Sequence, residues 1–286
     1  MVNGEERHID KVRPKKALGQ NFLTDRHVLS RIAQLVNRGP DARILEVGPG
    51  KGALTRLLAE QGARVLAIEF DRQLVPLLEK EFSGQGNVEV VQADILRTDL
   101  PAVLLERWDG KWEVAANLPY NISSQVLFRF MESRALFSRL VLMLQKEVGE
   151  RLVAQPGSKE YGILSVLFRL HFDITREFTV KPGSFHPVPK VDSVVLSFKP
   201  LPTPRVDVGD EPFFRQVVKA AFGQRRKTLW NCLKSLGLVI DERELAKALA
   251  DCGIAATRRG ETLSLDEYAK LAKALYPLRN VGNILE

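Results

Sequence analysis

The sequence predicts an α/β protein: a mostly parallel sheet covered by helices, followed by a smaller helical region. Three observations predict it. Short apolar runs alternate with amphipathic stretches between Arg43 and Leu144. A glycine-rich turn, Glu46-Val47-Gly48-Pro49-Gly50-Lys51-Gly52, closes the first run and opens the next helix. Pro200, Pro202 and Pro204 crowd one short stretch, and helical periodicity takes over beyond it. Buried parallel strands read as continuous apolar runs because helices cover both faces of the sheet.

The elements follow in order. Residues 1–20 are polar and basic, with Lys11, Arg13, Lys15 and Lys16 close together, and are expected to form a flexible arm. Arg43–Val47 reads as a strand, Ala53–Gln61 as a helix, and Arg64–Ile68 as a second strand ending at Glu69. Gln73–Phe82 is a helix; Val88–Gln92 is a strand ending at Asp94. Glu113–Ala116, Ser123–Ser133 and Leu140–Leu144 continue the alternation. Phe178–Val180 and Val191–Phe198 then read as antiparallel strands around a proline-rich loop, Lys181–Lys190. Three helices close the chain: Pro212–Leu236, Glu242–Asp251 and Leu265–Tyr276, the last with Ser264 and Glu267 at capping-box spacing. The expected domains are a basic arm at 1–20, an α/β domain at 21–202 and a helical domain at 203–286.

Composition narrows the function. The chain has 286 residues and a net charge of +7. That balance favours a polyanionic partner, nucleic acid before an acidic membrane surface, while a merely soluble basic enzyme stays open. Cys232 and Cys252 share no metal or redox spacing, and no pair among His8, His27, His171 and His186 has ligand spacing, so no metal is expected. Neither a signal peptide nor a membrane-length apolar run is visible. A cytoplasmic protein with no membrane partner is expected, and a monomer.

Gly48, Gly50 and Gly52 let a backbone approach a ligand closely. The spacing G-x-G-x-G falls short of the dinucleotide pattern, and a tight turn with no ligand remains open. Glu69 can accept both ribose hydroxyls of a nucleoside. Asp94 can accept from an adenine amine, which favours S-adenosylmethionine over NAD, or it can cap a helix. Further on, Asn117-Leu118-Pro119-Tyr120 ends the fourth strand. This tetrapeptide resembles the site of enzymes that methylate a planar exocyclic amine. An amide oxygen and a backbone carbonyl each accept one N–H, which frees a delocalised lone pair for attack. Proline has no N–H and stiffens the segment. Tyr120 supplies a flat face for a base, or else is a buried helix-start tyrosine.

With these residues in hand, the chain resembles the bacterial small-subunit (16S) rRNA adenine N6,N6-dimethyltransferases along nearly its whole length. The motifs are Lys16-Ala17-Leu18-Gly19-Gln20-Asn21-Phe22-Leu23, the glycine turn, Asn117–Ser123 and Gly157-Ser158-Lys159-Glu160-Tyr161-Gly162. Phe185-His186-Pro187-Val188-Pro189-Lys190-Val191-Asp192-Ser193 and Phe222-Gly223-Gln224-Arg225-Arg226-Lys227 complete them. The resemblance implies a Rossmann-like methyltransferase domain with a small C-terminal helical domain. It implies S-adenosylmethionine as cofactor, leaving S-adenosylhomocysteine, held by Asn21, Leu23, Gly48, Glu69, Asp94 and Asn117. Asn117, Leu118, Tyr120 and Phe185 would form the catalytic site, with Phe185 across the target adenine from Tyr120; alone, Phe185 could equally be a core aromatic. The implied substrate is two adjacent adenosines in a hairpin loop near the 3′ end of 16S rRNA, within an immature small subunit. Arg225, Arg226 and Lys227 are expected to hold rRNA, unless they form a solvated basic face.

Other readings compete. A related resistance enzyme methylates large-subunit rRNA, but the Gly157–Gly162 and Lys181–Ser193 segments favour the small-subunit enzyme. Protein-glutamine methylation is disfavoured by Leu118, where that site has proline. A non-catalytic assembly factor is disfavoured by intact Asn117, Tyr120 and Glu69, although both roles can coexist. A NAD-dependent oxidoreductase is disfavoured by the glycine spacing.

Overall fold

The computed structural model describes residue 9 and residues 12–36, 41–224, 226–234 and 241–278. Two compact units emerge: Met1–Gly149 with Asp173–Pro200, and Glu150–Phe172 with Leu201–Glu286. The grouping differs from the sequence boundary at 202/203, because residues 150–172 pack with the C-terminal helices.

The first unit is built on a seven-stranded sheet. Its strands are β2 (Arg43–Val47), β3 (Arg64–Glu69), β4 (Val88–Gln92), β5 (Trp112–Asn117), β6 (Phe137–Gln145), β7 (Phe172–Val180) and β9 (Ser193–Pro200). The spatial order is β4-β3-β2-β5-β6-β9-β7. The pairs from β4 through β6 are parallel; β9 runs antiparallel to β6. Strand order reverses between β2 and β5, and ligands of such sheets bind beyond the carboxyl ends of the strands at that point. The glycine turn follows β2, and Asn117 ends β5. A separate two-stranded ladder joins β1 (Phe22–Leu23) to β8 (Phe185–His186), pairing Leu23 with Phe185.

Helices α2 (Ala53–Glu60), α3 (Val75–Glu81), α4 (Leu100–Leu105) and α5 (Ser123–Glu132) alternate with the parallel strands, and before them comes α1 (Arg26–Val36), unread in the sequence. Its Val28, Leu29, Ile32, Ala33 and Val36 are buried at helical spacing. The Asp25 carboxylate accepts from the His27 and Val28 N–H groups at 3.0 and 3.2 Å, supplying the missing N-terminal partners. Burying its large aliphatic side chains stabilises the unit by about 1.5–3 kcal/mol each, an upper bound because unfolded chains already cover some surface.

The described end of the basic arm is fastened rather than loose. Lys15 Nζ lies 2.6 Å from Asp71 Oδ1, and Gln20 Nε2 donates to Asp71 Oδ2 at 3.0 Å. Burial alone would raise the Asp71 carboxyl; Lys15, the Gln73 N–H and Gln20 together hold it below its ordinary range. Ile9 is buried among Phe22, Leu74, Leu78 and Phe82.

In the second unit the expected helix Pro212–Leu236 is broken. Helix α8 spans Glu211–Gly223, after α6 (Lys146–Val153) and α7 (Ile163–His171), and α9 spans Leu229–Lys234. The chain turns between them, with Lys227 N–H donating to the Gln224 carbonyl at 2.9 Å and Leu229 N–H to that of Arg258 at 2.6 Å. Phe214, Val217, Val218 and Ala221 are buried, as their spacing requires, and Phe222 meets the rings of Tyr161 and Tyr268. Helices α10 (Glu242–Asp251) and α11 (Leu265–Leu275) match expectation, and Ser264 and Glu267 form the capping box.

Candidate active site

The carboxyl ends of β2, β3, β4 and β5 open onto a cavity of about 610 Å³. Its lining includes Asn21, Leu23, Gly48, Glu69, Asp94, Asn117, Leu118 and Tyr120, so one cavity gathers eight of the sequence candidates. Phe185 does not line it.

The glycine turn shapes one wall. Gly48 has φ +69°, and a Cβ there would meet nothing within 4 Å. The open space beside it is where a ligand backbone contact would form. Gly50 has φ +58°, and a Cβ would lie 2.9 Å from the Phe22 ring. Two buried carboxyls stand beside this turn. Glu69, at the end of β3, accepts the Gly50 N–H at 3.1 Å and the Asp71 N–H at 2.8 Å, one on each oxygen. Each oxygen keeps a further lone pair, as two adjacent hydroxyls require. Burial raises the Glu69 carboxyl, against those two N–H groups that stabilise its charge. Glu46 is 3% exposed, and its Oε2 has no hydrogen-bond partner among the described residues. Burial pushes its carboxyl up to about 7, opposed by Thr55 and assisted by the Glu69 charge. Glu46 stands at the head of the glycine turn in the sequence, which gave it no role of its own.

Asp94 lies at the mouth of the cavity, after the end of β4. It lines the cavity, and its Oδ1 accepts the Leu96 N–H at 2.9 Å, capping a turn rather than an α-helix. Phe70, 56% exposed, adds an apolar face to the lining.

Asn117 stands in a defined orientation. Its Nδ2 donates to the Asn21 carbonyl at 3.0 Å. A carbonyl only accepts, so the NH₂ side must face Asn21, which leaves Oδ1 as the acceptor for other donors. Leu118 is 1% exposed, and its N–H donates to the Met143 carbonyl at 3.2 Å, so its side chain belongs to the core and only its backbone is available for chemistry. Tyr120 is half-buried. Its hydroxyl lies 2.8 Å from Ser193 Oγ, and Ser123 Oγ donates to its carbonyl at 3.2 Å. Burial raises its phenol, with the Ser193 bond opposing.

Phe185 departs from its expected place. Its ring is 2% exposed and packs in the core with Leu23, Val28 and Leu29. A stacking face must be open to the base, and this one is covered. The β1–β8 pairing is the reason: it draws residue 185 against Leu23 and under α1. In the helical unit, Arg226 and Lys227 are exposed in the turn after α8, while Arg225 lies outside the described residues. Arg215 pairs with Glu211 at 2.7 Å. Among the described residues no cluster of His, Cys, Asp and Glu suits a metal.

The model of one family, described as ribosomal RNA adenine dimethylase, matches residues 11–276. The chain belongs to this family. Within it, the chain is 63% identical to a ribosomal RNA small subunit methyltransferase A of Geobacter metallireducens, covering 93% of this chain and 97% of the relative. It is 43% identical to the protein of that name from Bacillus cereus, over 91% of both chains. Among solved structures, a dimethyladenosine transferase from Plasmodium falciparum superposes with a TM-score of 0.76 at 25% identity, covering 90% of this chain and 98% of that one. The 23S rRNA methyltransferase ErmE follows at 0.66 and 26%, covering 90% and 100%. This chain is more similar to the small-subunit relatives, at 63% and 43% identity, than to ErmE at 26%.

The cavity residues fit S-adenosylmethionine. Glu69 offers paired acceptors, Gly48 leaves space for close approach, and the unpartnered Glu46 oxygen suits a cationic or N–H-donating part of the ligand.

Proposed function

We propose that this chain transfers methyl groups from S-adenosylmethionine to N6 of two adjacent adenosines in a hairpin loop near the 3′ end of 16S rRNA. It acts as a monomer in the cytoplasm, on an immature small subunit. Asn117 carries the reading. Its amide is turned by the Asn21 carbonyl so that Oδ1 is the available acceptor. When bound, S-adenosylmethionine supplies an electrophilic methyl on a sulfonium sulfur. Asn21, Leu23, Gly48, Glu69, Asp94 and Asn117 would hold it.

The rest of the work falls to the acceptor site. Asn117 Oδ1 and the Leu118 backbone carbonyl accept the two N6 hydrogens, which draws the nitrogen towards tetrahedral geometry and localises its lone pair. Preorganised acceptors act most strongly where charge develops in the transition state. Tyr120 stacks on the flipped base, and a base taken from its stack needs such a face. The methylated amine cation loses its proton to water, so no dedicated base is needed. Phe185 serves as a core anchor that holds β8 against β1. Arg225, Arg226 and Lys227 contact rRNA phosphates from the helical unit, in keeping with the net charge of +7.

The test is methyl transfer from labelled S-adenosylmethionine to unmethylated small subunits, naked 16S rRNA and large subunits, with the modified base mapped. Dimethyladenosine in the small subunit is expected. Label confined to large-subunit RNA would overturn the reading.

A further inference from the structure

Tyr120 is held at both ends. Ser123 Oγ donates to its backbone carbonyl at 3.2 Å, and its hydroxyl meets Ser193 Oγ at 2.8 Å. Ser193 lies 73 residues away in sequence, and it is fully buried at the start of β9. Its backbone is fixed by pairing with Gln145 of β6. The preceding residue is also tied: the Asp192 carbonyl accepts the Lys146 N–H at 3.0 Å, and its carboxylate accepts from Lys181 Nζ at 3.0 Å. A hydroxyl on a sheet strand thus grips the free end of a ring carried by a loop.

We infer that Ser193 is a positioning residue for methyl transfer: its hydroxyl pins the Tyr120 phenol so that the ring stands ready as a platform for the target adenine. The inference rests on the proposed stacking role of Tyr120. The physical reason is preorganisation. A tyrosine anchored only at its backbone samples several ring positions, and binding the base must then fix one of them. Groups held by packing and by hydrogen bonds from rigid elements avoid that loss. Ser193 itself does not line the cavity, so its proposed effect runs through Tyr120.

Ser193→Ala, Tyr120→Phe and the double variant test the bond from both sides, with single-turnover methylation of saturating small subunits as the readout. Losing one neutral hydrogen bond should slow each single variant about 2- to 12-fold. The double variant should be no slower than the slower single one, because the same bond is removed once. Ser193→Thr should recover most of the rate, and S-adenosylmethionine affinity should be unchanged throughout. A wild-type rate in either Ser193→Ala or Tyr120→Phe, or full additivity in the double variant, would overturn the inference. Should Ser193→Ala fail to fold, Tyr120→Phe against wild type still decides it. Tyr120→Ala separates the two claims. A slowed Tyr120→Ala beside an unaffected Ser193→Ala removes only the positioning role, whereas a wild-type Tyr120→Ala removes the stacking reading itself.

Discussion

At the cavity, two polar groups are held by the backbone: buried Glu69 is 6% exposed with both oxygens bonded, and partly buried Asn117 is turned by a backbone carbonyl. In the turn after α8 the opposite holds, for Arg226 and Lys227 stand exposed on a short connection. The first region acts through direction and desolvation, where a misplaced atom matters. The second acts through charge, which water and salt screen. Substitutions in the two regions should therefore differ in kind: abrupt and salt-independent at the cavity, graded and salt-dependent at the turn.

The largest effect is expected at Asn117. Asn117→Ala should lower single-turnover methylation by about 10²-fold or more, as for loss of one preorganised transition-state partner. A rate near wild type would place the acceptor chemistry elsewhere. Next comes the cofactor wall. Glu69→Ala should weaken S-adenosylmethionine binding by about 1–3 kcal/mol in calorimetry, because it removes a charged acceptor from hydroxyls that stay buried. Unchanged affinity would take Glu69 out of the cofactor site.

Glu46 sharpens the comparison through pH. Its carboxyl is raised from an ordinary 4.5 to about 7, so the folded protein holds a proton that the unfolded chain releases. The stabilisation is full below about 4.5 and is lost as pH rises through about 7. Glu46→Gln should be more stable than wild type at pH 8, by about 3 kcal/mol, with the gap narrowing towards pH 5. Thermal melts of the cofactor-free protein across that range check it; a gap independent of pH would mean that Glu46 is charged throughout.

The smallest effect per residue belongs to the turn. Removing the charges of Arg225, Arg226 and Lys227 together should weaken small-subunit binding and lower the salt slope by up to about 3, since each neutralised phosphate releases condensed counterions. Folding and S-adenosylmethionine affinity should stay near wild type. An unchanged slope would move the phosphate contacts to Lys11, which lies outside the described residues, and to Arg13, Lys15 and Lys16, of which Lys15 is already paired with Asp71.

The sequence by itself determined the alternation of strands and helices, the turn after β2 and the family motifs. Continuous apolar runs, glycine spacing and an Asn-Leu-Pro-Tyr stretch are local patterns, and Arg43–Val47 and Leu265–Leu275 fall where those patterns put them. Local pattern also misled, because helical periodicity continues past Gly223, whereas the chain turns there and Leu229 bonds to Arg258. Only the tertiary structure decided which way the Asn117 amide faces, that Phe185 is covered by Leu23 and α1, that Glu46 loses its water, and that Ser193 grips Tyr120. Each of these depends on residues distant in sequence meeting in one register, and on the burial that follows. Spacing along a chain carries no record of either.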